Sequence, residues 1–599
     1  MDKLLRHLPD GPVPPLPAHP EPRRSIRSRT RQRGSVAILA ALTIGIVMVM
    51  LGAIDIGNVF FQRRLLQSVA DMSALAAAET MDDGCVQPPT IAQSVALANG
   101  FDSTVSGQTL SATCGRWDLK DNSGPSFYAS SSPSYTAGDD AQLNAVQVTV
   151  TRSVPYYFFG PQRTVTATST AQATNIGVYS IGTTLAQLQG GLVNSLLNAM
   201  LGTNLNLSLV SYQGLATAHI KVSDLMAAAG AGTVSQLLSM NATVPTLAGW
   251  LATALSTTTV ANANVQTDIS AMNSIANANY TNSQSVSLNN TTGTPGLLSI
   301  GLSDPQAALN ATISPFDALM AAAEIANGQS AVTIAGGLSI AGLTSSLQVQ
   351  IIQPPVIAVG EAGIDPLTKT WRTVASTAQV RLYLGIGLGT ASLPLGLLGT
   401  LVPVQVNLPL SLQVAPGTAW LQSATCTAST STCASVIGAQ TGIANLCVGN
   451  APANLSGSQA FSCSTPATLV NIVNLVKITA LAAFPAVVPA ADAPALTFYG
   501  TTGGYQSTNS NGVGNVLGNA LNGLGASLQQ TQVVLLGGLS LPLTPVESAL
   551  GAFLGTALPP LLGGLDGVVD PLLQVLGVQI GESTIHDISL TCGASQLVY

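Results

Sequence analysis

Residues 35–54 read SVAILAALTIGIVMVMLGAI, twenty consecutive residues without a charge, and Asp55 follows at once. A helix rises about 1.5 Å per residue, so a run of this length crosses the roughly 30 Å hydrocarbon core of a bilayer once. The stretch therefore predicts a transmembrane helix, and its flanks predict an orientation. Lys3, Arg6, Arg23, Arg24, Arg27, Arg29, Arg31 and Arg33 precede it, eight of the chain's 19 basic residues, against Asp2, Asp10 and Glu21. Basic flanks stay cytoplasmic. The other 11 basic and 23 acidic residues lie from Asp55 onward, a net of −12 that opposes any nucleic-acid role. A cleavable signal peptide has a shorter apolar region, about 7–15 residues, with a small-residue site close behind it. Here the nearest strong cluster is Ala76-Ala77-Ala78, far beyond the run, so the helix is expected to stay as an anchor in inner-membrane lipid.

On the cytoplasmic side, residues 1–33 hold Pro9, Pro12, Pro14, Pro15, Pro17, Pro20 and Pro22. Proline removes backbone donors and favours an extended conformation, so this segment reads as a disordered tail. On the other side the helix continues, because Leu65, Val69, Met72 and Ala76 recur at helical spacing and predict a stalk to about residue 80. Farther on, Val146-Gln147-Val148-Thr149-Val150 and Val165-Thr166-Ala167-Thr168-Ser169 alternate like paired strands within 145–173, and Tyr157-Phe158-Phe159-Gly160 lies between them.

These phrases carry a resemblance. Arg33-Gly34-Ser35-Val36-Ala37, Ile54-Asp55-Ile56-Gly57, Arg64-Leu65-Leu66-Gln67 and Ala70-Asp71-Met72-Ser73-Ala74 occur in the order of the N-terminal signature of the TadE/TadG-like proteins, which belong to the Tad (tight adherence) system for Flp pilus assembly. The strand, aromatic turn and strand at 145–173 resemble the segment that closes the first periplasmic module of TadG-like proteins. The resemblance covers about residues 33–173 and implies a membrane-anchored, non-enzymatic assembly component, in contact with other Tad membrane proteins. Two departures refine it. Flp pilins carry a glutamate at the fifth position after their cleavage glycine; counted from Gly34 that position is Leu39, which argues against processing and fibre incorporation. Some TadG-like proteins also carry a von Willebrand A domain, whose metal site opens with Asp-x-Ser-x-Ser. Asp71-Met72-Ser73 runs on to Leu75, and Asp587-Ile588-Ser589 to Thr591 with eight residues following, so that domain is expected to be lacking.

Residues 174–599 are long enough for one large or two ordinary domains. Helical periodicity at 185–201, 224–238 and 246–255 and strand-like runs at 332–352 and 374–414 predict a mixed region, and the whole chain is assigned to the α+β class. Asn, Ser, Thr and Ala dominate 257–292, which reads as a polar insertion or mobile excursion. Residues 382–402 form a second uncharged run, but Pro394 and five glycines weaken it as a helix. A second crossing would also return Cys426, Cys433, Cys447 and Cys463 to the reducing cytoplasm.

All seven cysteines follow the anchor. Disulfides in an oxidising compartment are the expected reading, with Cys85 and Cys114 paired in the first module. Cys426, Cys433, Cys447 and Cys463 allow three connectivities, of which Cys426 to Cys433 with Cys447 to Cys463 closes the shortest loops, leaving Cys592 over. Zinc is disfavoured, since no histidine lies near this cluster and no Cys-x-x-Cys spacing occurs. His219 and His586 lack a neighbouring nucleophile, Asp118, Asp139 and Asp140 read as solvated loop acids, and Gly512-Val513-Gly514-Asn515-Val516-Leu517-Gly518 has the wrong spacing for a nucleotide loop. No catalytic, cofactor or metal site is expected. Asp55 reads as a boundary residue or, with Gly45, Gly52 and Gly57, as part of a helix-packing face for partner membrane helices. The expected protein is a single-pass inner-membrane component of Flp pilus assembly with its C-terminal region in the periplasm; the alternative is a surface-exposed adhesin or minor pilin held by its N-terminal helix.

Overall fold

The computed structural model describes residues 35–599 apart from 82–84, 120–121, 123, 125–126, 131–142, 183–189, 261, 263, 282–283, 292, 303–304, 335–343, 366–367, 395–400, 427–429, 441–443, 452–460, 473–475, 485–493, 509–531, 536–575, 577–582 and 594. The tail at 1–33, Asp139, Asp140 and the glycine-rich loop at 512–518 lie outside the described residues.

Two compact units result. The first comprises Met1–Arg63 and Ser153–Val165, the second Arg64–Arg152 and Thr166–Tyr599. Helix α1, Ser35–Glu79, runs without a break from the apolar run into the stalk, and among the described helices it alone is long and apolar enough to cross a membrane. Side chains from Val36 to Met50 are exposed, as a lipid-facing helix requires.

The stalk half of α1 is helical as expected, and it buries a narrow stripe. Leu65 and Met72 are exposed, whereas Leu66, Val69, Ala70, Ala74 and Ala77 are buried, a stripe at spacings of three and four. Alanines win because their small side chains admit close approach of a packed sheet; Gln67 Nε2 reaches the Thr168 carbonyl at 3.3 Å. Helix α2, Gln87–Ala98, opens with prolines at its first turn, where a missing N–H costs nothing.

That sheet has the order Tyr128–Ala129, β1 (Gln108–Trp117), β3 (Ala145–Val154), β4 (Arg163–Gln172) and Gln596–Leu597. We number Tyr128–Ala129 β2. The strands β3 and β4 answer the alternation seen in the sequence. The edge partner of β4 was not foreseeable: Gln596 pairs with Gln172 and Leu597 with Ala171, so the chain returns to its first module at the far end.

Strand β5, Ile176–Ile181, begins a larger body of three layers. It lies in a seven-stranded sheet ordered Thr502–Thr508, Ser583–Thr591, β5, Ile357–Gly360, Gly296–Gly301, Ser285–Asn289 and Asn241–Thr243. Successive side chains of a strand point to opposite faces. Val178 accordingly joins a core with helices such as Gly190–Leu201, Val244–Thr257 and Pro315–Asn327, while Tyr179 joins a second core with the four-stranded sheet that includes Thr418–Thr425 and Ala434–Gln440. At Gly177 the two sheets come so close that a Cβ would sit 2.7 Å from Leu421 Cδ2.

The stretch 257–292, expected as a polar insertion or mobile excursion, contributes packed elements among its described residues. Val265–Ala276 is a helix whose Ala271, Met272 and Ile275 enter the main core, and Ser285–Asn289 is a strand with Val286 and Leu288 buried. Sparse apolar residues at the right spacing suffice, because the Asn and Ser between them face outward. The second apolar run is a strand pair, Gln379–Pro394 with Leu401–Val414, in the nine-stranded sheet.

Candidate functional site

Between β3 and β4 the chain turns through Pro155 to Pro161. Neither proline has an N–H to offer, so the turn's donors are those between them. Gly160 sits at φ +102°, a conformation few other residues adopt, and this re-aims the chain into β4. Three consecutive amides then converge on one carboxylate. Tyr157 N–H donates to Asp55 Oδ1 at 2.7 Å, Phe159 N–H to Oδ2 at 2.8 Å, and Phe158 N–H reaches both oxygens at 3.3 and 3.2 Å. Asp55 is 2% exposed. Converging backbone donors form an anion-binding concavity, and hydrogen bonds to an ionised acceptor are roughly twice as strong as neutral ones. The first acid after the apolar run thus clamps the tip of a hairpin one hundred residues away in sequence.

This places the expected packing face differently. Asp55 turns to its own hairpin tip. Gly57 lies about 120° around the helix from Gly45, given 3.6 residues per turn, whereas Gly45 and Gly52 are seven apart and share a face. A Cβ at Gly45 or Gly52 would meet nothing within 4 Å.

The cysteines form three pairs: Cys85 with Cys114, Cys447 with Cys463, and Cys426 with Cys592. The shortest-loop expectation of Cys426 to Cys433 is thereby corrected. Strand Ser583–Thr591 pairs with β5 and Gln596–Leu597 with β4, which carries Cys592, lying between them, to the main body and leaves Cys433 buried with its Sγ 3.7 Å from that of Cys592. Three sulfur atoms lie within 4.8 Å of one another, a thiol beside a disulfide.

Asp118 is no solvated loop acid. Arg116, fully buried, bridges Asp118 at 3.1 Å and Glu361 at 2.7 Å, and Arg372 reaches Asp118 at 3.4 Å. This network ties β1 to the segment just after Ile357–Gly360. His586 is buried too, with Tyr505 stacked on its ring at 4.1 Å and Nδ1 2.9 Å from Asp317 Oδ2. Ser180 Oγ donates to the same oxygen at 2.8 Å, so serine and histidine share an acid and neither activates the other. The adjoining cavity of about 30 Å³, lined by Ser180, Asp317, Met320, Glu324 and Leu576, is large enough to hold water. Burial raises the Glu324 carboxyl well above its usual range and lowers the His219 imidazole to about 4.

The clamp is the feature that sequence reasoning missed. Its signal was present in a conspicuous Pro-Tyr-Tyr-Phe-Phe-Gly-Pro phrase and a lone acid at the end of an apolar run, but nothing in the spacing joins the two.

Comparison with known families places this geometry. Residues 34–80 match the Flp pilus-assembly TadE/G-like family and residues 76–171 the Tad-like Flp pilus-assembly family, so that the clamp and its hairpin lie within the two matched stretches. Residues 189–324 match a domain family of unknown function. No curated protein and no solved structure matches the chain.

Proposed function

The chain is a TadG-like protein of the Flp pilus-assembly group, and from that premise we propose that it is an inner-membrane, non-enzymatic component of the assembly machine. Its N-terminus lies in the cytoplasm and everything after Asp55 in the periplasm. The observation that carries this reading is the succession of both pilus-assembly family matches along one continuous chain, beginning at the apolar run of α1. Orientation follows from the eight basic residues before that run, and the periplasm is the compartment in which three disulfides persist. Partner membrane proteins of the same system would meet the face bearing Gly45 and Gly52, since small residues let helices approach closely in lipid.

Fractionation tests the reading. Cells are sheared, and the pilus fraction and separated membranes are probed with an antibody to the C-terminal region. Full-length chain confined to the inner membrane is expected; chain released with pili would instead identify a minor pilin or adhesin. Gly52→Leu should reduce co-purification with other Tad membrane proteins, and unchanged recovery would remove the packing-face assignment.

A further inference from the structure

The hairpin tip bears more apolar surface than a soluble turn needs. Tyr157 is 66% exposed, Phe158 51% and Phe159 42%. On α1, five and six residues beyond Asp55, Phe60 and Phe61 are 64% and 60% exposed. At 1.5 Å per residue these two lie roughly 9–10 Å along the helix past Ile54, the last residue of the apolar run, at the outer margin of the headgroup layer. Arg63 and Arg163 are exposed in the same unit. Aromatic rings with nearby cations are the composition found where protein meets the boundary between acyl chains and headgroups.

The clamp makes such a position energetically accessible. An exposed loop cannot enter the edge of a bilayer with open backbone donors, because each would forfeit its water without a replacement. Three tip amides are already satisfied by Asp55. An unpaired carboxylate at the end of a membrane span is costly for the converse reason. Each group removes the other's obstacle, and the clamp also fixes the tip at the level where the span ends.

We propose that the tip between Pro155 and Pro161 is a second membrane contact, seated in the interfacial layer of the phospholipid leaflet from which α1 emerges, with Tyr157, Phe158 and Phe159 among headgroups and upper acyl carbons. The proposal rests on the reading of α1 as a membrane span, and the test separates the two. Full-length protein in a C433S background receives one cysteine at Phe158, at Tyr157 as a second tip position, at Ile44 within the span, or at exposed Ser235, and is labelled with an environment-sensitive fluorophore after reconstitution into phosphatidylglycerol-containing vesicles. Tip labels should lose about half their emission to lipids brominated high on the acyl chain, as side chains at headgroup level do, and resist aqueous iodide. The Ser235 label should behave oppositely. A quenched Ile44 label with both tip labels water-facing would overturn the tip contact while leaving the span intact, and would mark the aromatic tip as a docking surface for protein. An Ile44 label untouched by brominated lipid would overturn both.

Discussion

Replacing Asp55 by alanine should release the hairpin tip without unfolding the protein. The carboxylate makes two short bonds, 2.7 and 2.8 Å, and two longer ones to the intervening amide. Hydrogen bonds to a charged group contribute about 1.5–3 kcal/mol each, so the two short bonds together hold the tip by about 3–6 kcal/mol, and water entering the vacated space returns part of that. A net loss of about 2–4 kcal/mol corresponds to a fall of roughly one and a half to three orders of magnitude in the exchange protection of the Tyr157 and Phe159 amides, at about 1.4 kcal/mol per decade. Asp55→Asn should fall between wild type and alanine, since its one carbonyl oxygen can serve one short bond while its NH₂ opposes the other donor. Hydrogen exchange followed by mass spectrometry on the reconstituted chain measures this in a peptide covering 154–162, with 145–152 as internal reference. If D55A left the 154–162 amides as protected as wild type, the clamp would not be what holds the tip.

Other substitutions test the second unit. Arg116→Met leaves the buried carboxylate of Glu361 without the guanidinium 2.7 Å away and should destabilise the protein by about 3–5 kcal/mol in chemical denaturation; a loss within measurement error would show that water compensates the network. Burial raises the Asp587 carboxyl to about 6, against the opposing hydrogen bond from Ser435 and the field of His586. The folded protein therefore holds that proton more tightly than the unfolded chain, whose carboxyl titrates near 4, and the associated stability is present below about pH 4 and lost as pH rises through 6. Asp587→Asn should accordingly be more stable than wild type by about 2–3 kcal/mol at pH 8, with the difference vanishing near pH 4; thermal melts across that range decide it. Peptide mapping without reduction should recover Cys426 linked to Cys592, and Cys592→Ser, which opens a loop of 166 residues, should lower stability by about 3–5 kcal/mol.

Local physics was readable from the residues where a single segment sufficed. The charge-free run at 35–54 and the alternation on either side of Tyr157-Phe158-Phe159 announced α1, β3 and β4 because hydrophobic period maps directly onto element type. Pairings across long separations were not readable. Asp55 and the amides of 157–159, Arg116 and Glu361, and Cys426 and Cys592 meet only through topology, and backbone amides leave no side-chain signature to search for. The buried face of the stalk was not readable for a different reason: Leu65 and Met72 outrank Ala70 and Ala74 in hydrophobicity, but the packed face favours what fits. Likewise the Asn and Ser between Met272 and Ile275 masked a helix whose inward face is sound.

The return of the chain to its first module has a consequence for biogenesis. Strand β4 is one of the earliest elements to emerge, yet its outer edge is covered by Gln596–Leu597, and Thr170 exchanges backbone hydrogen bonds with Val598 and Tyr599. Until those residues have been made, β4 presents an open row of donors and acceptors, the kind of edge that recruits stray strands. Synthesis of the chain and closure of its first sheet are thereby coupled across some four hundred residues, so a truncated product keeps an open strand edge on which misassembly and proteolysis can act.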